Sequence, residues 1–189
     1  MLFVIDRNNV GDGFTFLQVS QDASSTLPGS LSVDTLDRTL NTDAVLHALI
    51  LNALLQKPLL VNYFGHGSVE IWANAAVFNT GDMAALNDDA LPVWLMMTCL
   101  NGYFQNANRT SLAEALIRRN PGGAVAVWAS SGLTDVLSQL KLNKQLYIQL
   151  FSNPGITMGE AAKNAKQNIV DLDVRRTWIL FGDPTMKIQ

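Results

Sequence analysis

Two stretches of this chain share one design. Pro58-Leu-Leu-Val-Asn-Tyr-Phe-Gly-His-Gly-Ser68 and Leu91-Pro-Val-Trp-Leu-Met-Met-Thr-Cys-Leu-Asn-Gly-Tyr-Phe104 each enter after a proline, run through a short apolar block and end in turn chemistry. Apolar runs this short, bounded by Pro and Gly or Asn, read as strands buried on both faces of a parallel sheet. The first strand delivers His66 between Gly65 and Gly67. The second delivers Cys99, the only cysteine in the chain. Parallel neighbours would present both side chains on the carboxyl rim of the sheet, where open α/β sheets place ligands and chemistry.

The rest of the chain supplies such a sheet. Further strands are expected at 2–5, 124–129 and 178–181. Helical periodicity runs through 42–56, where Val45, Leu46, Leu49, Ile50 and Ala53 share a face, and again over 134–151. Ser111-Leu-Ala-Glu114 and Thr157-Met-Gly-Glu160 are capping boxes that open helices over 111–119 and 157–168. Residues 14–40 read as a long irregular region with a short strand, and 68–90 show no clear period. The β-α alternation predicts a mostly parallel sheet with helices on both faces, in one domain spanning 1–189.

Composition narrows the function. Hydrophobic residues make up 48% and charged residues 15% of 189, which suits one domain with a largely buried sheet. A net charge of −3 and a pI near 5.2 argue against a nucleic-acid surface. One cysteine makes no internal disulfide, and two histidines leave little for zinc, so neither metal nor cofactor is expected. No stretch has the apolar length of a membrane helix, and Met1-Leu-Phe-Val-Ile-Asp6 reads as a strand rather than a signal peptide. Competing motifs fail. A cysteine phosphatase needs an arginine where Gln105 stands, a dinucleotide fingerprint needs a glycine where Glu70 stands, and no P-loop is present.

The pattern of a hydrophobic block before His66-Gly67 and another before Cys99 resembles the gingipain-type cysteine peptidases, within the wider group of caspases, legumains and separase. Tyr63–Ser68, Thr98–Phe104, Gly123–Ser130 and Phe181–Ile188 carry the narrower gingipain likeness. The resemblance implies an α/β caspase-like three-layer sandwich. It also implies a cysteine endopeptidase with Cys99 as nucleophile and His66 as acid/base. The backbone N–H groups of Gly67 and Cys99 would form the oxyanion site. An upstream acid would orient His66, with Asp6 the best-placed candidate and Asp12 behind it. Substrate contacts fall to the rim after the third strand, at Ser130, Ser131 and Asp135. Asp135 is equally a helix cap there, and Trp72 is core or a pocket wall. Protein or peptide is the expected substrate, without membrane insertion. Gly182-Asp183-Pro184 is a turn or a calcium position such as secreted relatives use. The likeness points to a secreted or envelope setting, and to a chain that lacks the family's upstream α/β portion. The rival readings are a catalytically inactive domain kept for binding or assembly, and hydrolysis of a non-peptide acyl substrate by the same pair. Oligomeric state stays open.

Overall fold

Alternation along the apolar strands decides which side chains enter which layer. The computed structural model describes residues 1–188. Strands β1 (Leu2–Ile5), β3 (Leu60–Phe64), β6 (Val93–Met97) and β7 (Ala126–Ser130) are buried at every residue. They pair in parallel with β2 (Asp34–Asp37) in the order β2-β1-β3-β6-β7, and β8 (Trp178–Gly182) closes the sheet antiparallel to β7.

Phe3, Ile5, Leu60, Phe64, Leu95 and Met97 face one layer, formed by α1 (Phe16–Ser24), α4 (Val136–Ser152), α5 (Met158–Gln167) and α6 (Leu172–Thr177). Leu2, Val4, Val61, Tyr63, Trp94 and Met96 face the other. There α2 (Asp43–Leu54), α3 (Leu112–Arg118) and the hairpin of β4 (Ile71–Trp72) and β5 (Phe78–Asn79) cover the sheet. A 3-10 helix (Thr80–Ala85) follows the hairpin. The result is a three-layer α/β sandwich, buried on both faces as parallel sheets require.

One polar residue interrupts the first layer. Asn62, in the middle of β3 and fully buried, accepts hydrogen bonds from Asn143 Nδ2 at 2.9 Å and from the Tyr147 hydroxyl, both on α4. Its own amide donates to Leu95 O at 3.1 Å. Burial pushes the Tyr147 phenol up, so it stays a neutral donor.

Residues 14–40 are more regular than their composition suggested. Thr15 caps α1 by accepting from Gln18 N, and Phe16, Val19 and Ala23 reach the core at helical spacing. Three apolar residues among Gln, Ser and Asp give a weak period, so packing rather than pattern makes this helix. β2 is Asp-Thr-Leu-Asp, an edge strand whose polarity hides its pairing with β1. The hairpin and α6 were likewise not legible.

Candidate active site

β3 and β6 are neighbours in register, Phe64 opposite Met97, so the chain leaves both strands at the same rim. Gly65 N–H still bonds Met97 O at 3.3 Å. Two residues on, a Cβ at Gly67 would sit 2.4 Å from Thr98 Oγ1 and 3.2 Å from the Cys99 carbonyl oxygen. The turns bearing His66 and Cys99 therefore touch. Asn101 ties them further: its buried side-chain amide donates to Ser68 O, and to Ile71 O at 3.2 Å. Its sequence context marks only a turn, and its tie to the His66 turn arises from the fold.

The glycines around His66 act by space. Neither Gly65 nor Gly67 has a left-handed φ. A Cβ at Gly65 would lie 2.3 Å from the Tyr63 hydroxyl and 2.4 Å from Asp6 Cβ. The left-handed residue at this rim is instead Leu100, at φ 63°, directly after Cys99. Such a backbone costs a branched or bulky residue about 1 kcal/mol or more and is held only by surrounding contacts. Here those contacts are Leu100 N–H to Gly132 O at 3.2 Å and Gly102 N–H to Ser130 O at 2.8 Å.

Asp6 sits under the His66 turn, not beside its ring. Its Oδ2 accepts from the His66 backbone N–H at 3.1 Å and lies 3.3 Å from the Tyr63 hydroxyl, which makes its shorter bond, 2.7 Å, to the His66 carbonyl oxygen. Its Oδ1 accepts from Arg38 Nη1 and Arg7 N, each at 2.8 Å. Arg38 is nearly buried and also donates from Nε to Asp43 at 2.7 Å, and these two carboxylates, Asp43 foremost, hold its guanidinium charged. Asp6 is thus a buried anchor of the backbone, and its expected contact with the imidazole is not made.

Asp12 faces the ring. His66 Nε2 lies 3.3 Å from Asp12 Oδ2 and 2.9 Å from Asn9 Nδ2. As an N–H it donates to Asp12; as a bare nitrogen it accepts from Asn9. The Asn9 backbone N–H, then Asn8 and His66, hold the Asp12 carboxyl below its ordinary value. Phe16 meets the imidazole edge-on, centroids 5.1 Å apart. Nδ1 has no hydrogen-bond partner among the described residues.

Cys99 is half-buried. Its sulfur accepts from Thr134 N at 3.4 Å and donates to Thr134 O at 3.7 Å, and no hydrogen bond joins it to His66 among the described residues. The backbone N–H groups of Gly67 and Cys99 have no acceptor among the described residues.

The expected substrate side chains are otherwise engaged. Ser130, fully buried, donates to Thr177 Oγ1 at 3.1 Å or Gly132 O at 3.0 Å, and the Ser131 hydroxyl donates to Thr177 O at 3.0 Å. Ser131 N–H also bonds Thr177 O, because β8 already occupies this edge of β7. Asp135 caps α4, accepting from Ser138 N at 2.8 Å. Trp72 is core, stacked on Tyr63 at 4.3 Å. Asp183 accepts from Thr185 N–H and hydroxyl, and no cluster of His, Cys, Asp and Glu suited to a metal exists among the described residues. Nor is any helix among them long and apolar enough to cross a membrane.

A mostly parallel six-stranded sheet between helical layers, with a His turn and a Cys turn touching at one rim, defines a caspase-like α/β domain. The sequence pattern of peptidase family C25 matches residues 9–189, and the chain belongs to that family. Gingipain R2 of Porphyromonas gingivalis is 30% identical over 144 residues, which cover 69% of this chain and 19% of the relative. Gingipain R1 of the same organism is also 30% identical, with 14% of its length covered. The crystal structure of the Arg-specific cysteine proteinase gingipain R superposes on the whole chain with a TM-score of 0.83 at 24% identity, and 47% of that chain is covered. A complex of the pro- and mature domains of the P. gingivalis enzyme RgpB gives 0.79 at 23% identity, with 48% of that chain covered. This chain therefore spans less than half of each of these relatives.

Proposed function

We propose that the chain is a cysteine endopeptidase in which Cys99 is the nucleophile and His66 the acid/base. Family membership supports the reaction class. The observation that carries the assignment of residues is the contact of Gly67 with the Cys99 carbonyl, beside two N–H groups left without acceptors. In this reading Asp12 accepts from Nε2–H, leaving the Nδ1 lone pair to take the Cys99 thiol proton. The thiolate attacks the scissile carbonyl carbon, and the Gly67 and Cys99 N–H groups receive the oxyanion. His66 returns its proton to the leaving amine, then draws a proton from water as water hydrolyses the thioester. The substrate backbone runs along Gly132-Leu133. Leu133 is exposed, and its N–H and C=O have no partner among the described residues. Ser130 and Ser131 support that segment from beneath, and Asp135 remains with the helix.

Peptide hydrolysis and melting temperature measured together on Cys99→Ala and His66→Ala test this. Activity should fall by a factor of about a hundred or more in each. Stability should change by about 1 kcal/mol or less in Cys99→Ala. Unchanged hydrolysis in Cys99→Ala would remove the mechanism. That the sulfur is hydrogen-bonded to Thr134 and not to His66 among the described residues favours a second reading, an inert domain kept for binding. Alkylation of wild-type Cys99 by a peptidyl electrophile, lost in His66→Ala, would exclude it.

A further inference from the structure

The sheet ends on β8, two strands beyond the Cys99 strand. Beside β8 lies a groove of about 670 Å³, walled by α5 and α6. Its ionisable lining has one sign: Lys163 and Lys166 from α5, Arg175 and Arg176 from α6. None of the four is in an ion pair among the described residues. No carboxylate lines the groove, and Glu160, Asp171 and Asp183 nearby accept bonds from their own turns and caps. The chain as a whole is acidic, so this concentration of cations is local.

Two further features lie beside the groove. Trp128 and Trp178 form part of its wall, and their buried indole N–H groups have no acceptor among the described residues. Lys166 is held half-buried with Nζ 5.5 Å from the Trp128 ring centroid, without a counter-charge. The backbone beside these groups is also open. Ser131 N–H bonds Thr177 O and Ser130 lies opposite Trp178, so alternation turns the N–H and C=O of Leu180 and Gly182 away from β7.

We propose that this groove binds an extended acidic peptide segment, which adds to β8 as a further strand and sets carboxylates against the four cations. Strand addition gives main-chain hydrogen bonds, and side chains at every second position reach one face. Carboxylates at that spacing meet Lys and Arg in charge-assisted hydrogen bonds. A second copy of this chain is a poor occupant, because a two-fold pairing of β8 with itself opposes each cation cluster to its copy. A nucleic acid would use the charges and leave the outward amides of β8 unused. The proposal stands apart from the peptidase reading, since it requires no chemistry at Cys99.

Fluorescence anisotropy of a short labelled peptide alternating Glu and Val tests it, on the whole chain carrying Cys99→Ala to prevent cleavage. The expected result is binding about tenfold or more tighter than for the Gln-Val and Lys-Val peptides, weakening as salt rises. Lys163→Glu with Arg176→Glu, both exposed positions, should weaken it about tenfold or more. Methylating alternate backbone nitrogens of the peptide should do the same by blocking strand pairing. Equal binding of the Gln-Val peptide, or no effect of the double substitution, would overturn the site. Equal binding of the methylated peptide, or equally effective competition by oligothymidylate, would overturn the strand-addition assignment. Failure of the acidic peptide to bind, with or without self-association of the chain, overturns the whole proposal.

Discussion

Around His66 the holding groups are side chains from far upstream; around Cys99 they are main-chain atoms from the next turn along the rim. Asp6, Asn9, Asp12, Phe16 and, through Asp6, Arg38 fix the imidazole turn. Cys99 meets the N–H and C=O of Thr134, and Leu100 is bent into its left-handed conformation against Gly132 and Ser130. A side-chain scaffold can be dismantled one substitution at a time, whereas a main-chain scaffold changes little when its side chains change. The His66 side should therefore carry the large mutational effects on stability and the Cys99 side small ones, apart from the Asn101 link between the two turns; the sulfur itself matters to activity and little to the fold.

Asp6→Ala is the strongest way to break this contrast. It strands the nearly buried Arg38 and frees the His66 N–H, and should destabilise the fold by about 3 kcal/mol in chemical denaturation. A loss below about 1 kcal/mol would mean the anchor is redundant with Asp43. Asn101→Ala comes next, because this side chain binds both turns and its loss leaves Ser68 O without its donor and Ile71 O with only the Ser68 N–H. About 2 kcal/mol is expected, with hydrolysis falling further than stability alone accounts for. Preserved activity would show that the two turns hold position without the link.

A smaller effect sharpens the electrostatic half. The Asp12 carboxyl titrates below its ordinary 3.8 in the folded chain. A depressed carboxyl stabilises the fold above the unfolded value, and this contribution is lost as pH falls through the folded one. The melting temperature of wild type should exceed that of Asp12→Asn near neutrality, and the gap should close below about pH 3.8. A gap that persists in acid would assign the difference to something other than ionisation. The smallest change is expected at Asp135→Asn, since Asn caps a helix nearly as well. Stability should move by a few tenths of a kcal/mol, and the preference among peptides differing before the cleaved bond should not change. Loss of a preference for Arg or Lys would return the carboxylate to a substrate pocket.

The same contrast explains what could be read from the sequence. β3 and β6 were legible because burial on both faces leaves an unbroken apolar run, and the capping boxes at Ser111 and Thr157 announce α3 and α5. His66 and Cys99 were legible as single reactive residues at strand ends. The scaffold of His66 was not. Arg38 lies at the end of an edge strand without apolar alternation, and Asn9 sits in a turn. Nothing local distinguishes Asp6, which grips a backbone amide, from Asp12, which meets the ring. The choice depends on how the segment after β1 folds over the rim. Asn101 shows the same limit, because Ser68 and Ile71 become its neighbours only when β3 and β6 pair.

Asn62 gives the core of β3 a position marker. A strand whose residues are all apolar can slide against its neighbours, and a slip of one residue sends every side chain to the opposite layer. With Asn62 displaced, Asn143 would lose its acceptor and the Tyr147 hydroxyl would be buried against hydrocarbon. His66 lies four residues further along the same strand and turn, so the slip would also present its neighbour's side of the backbone to Cys99. The buried amide thus acts as an index mark: it counts the residues of β3 from inside the sheet, and so sets which one arrives at the rim.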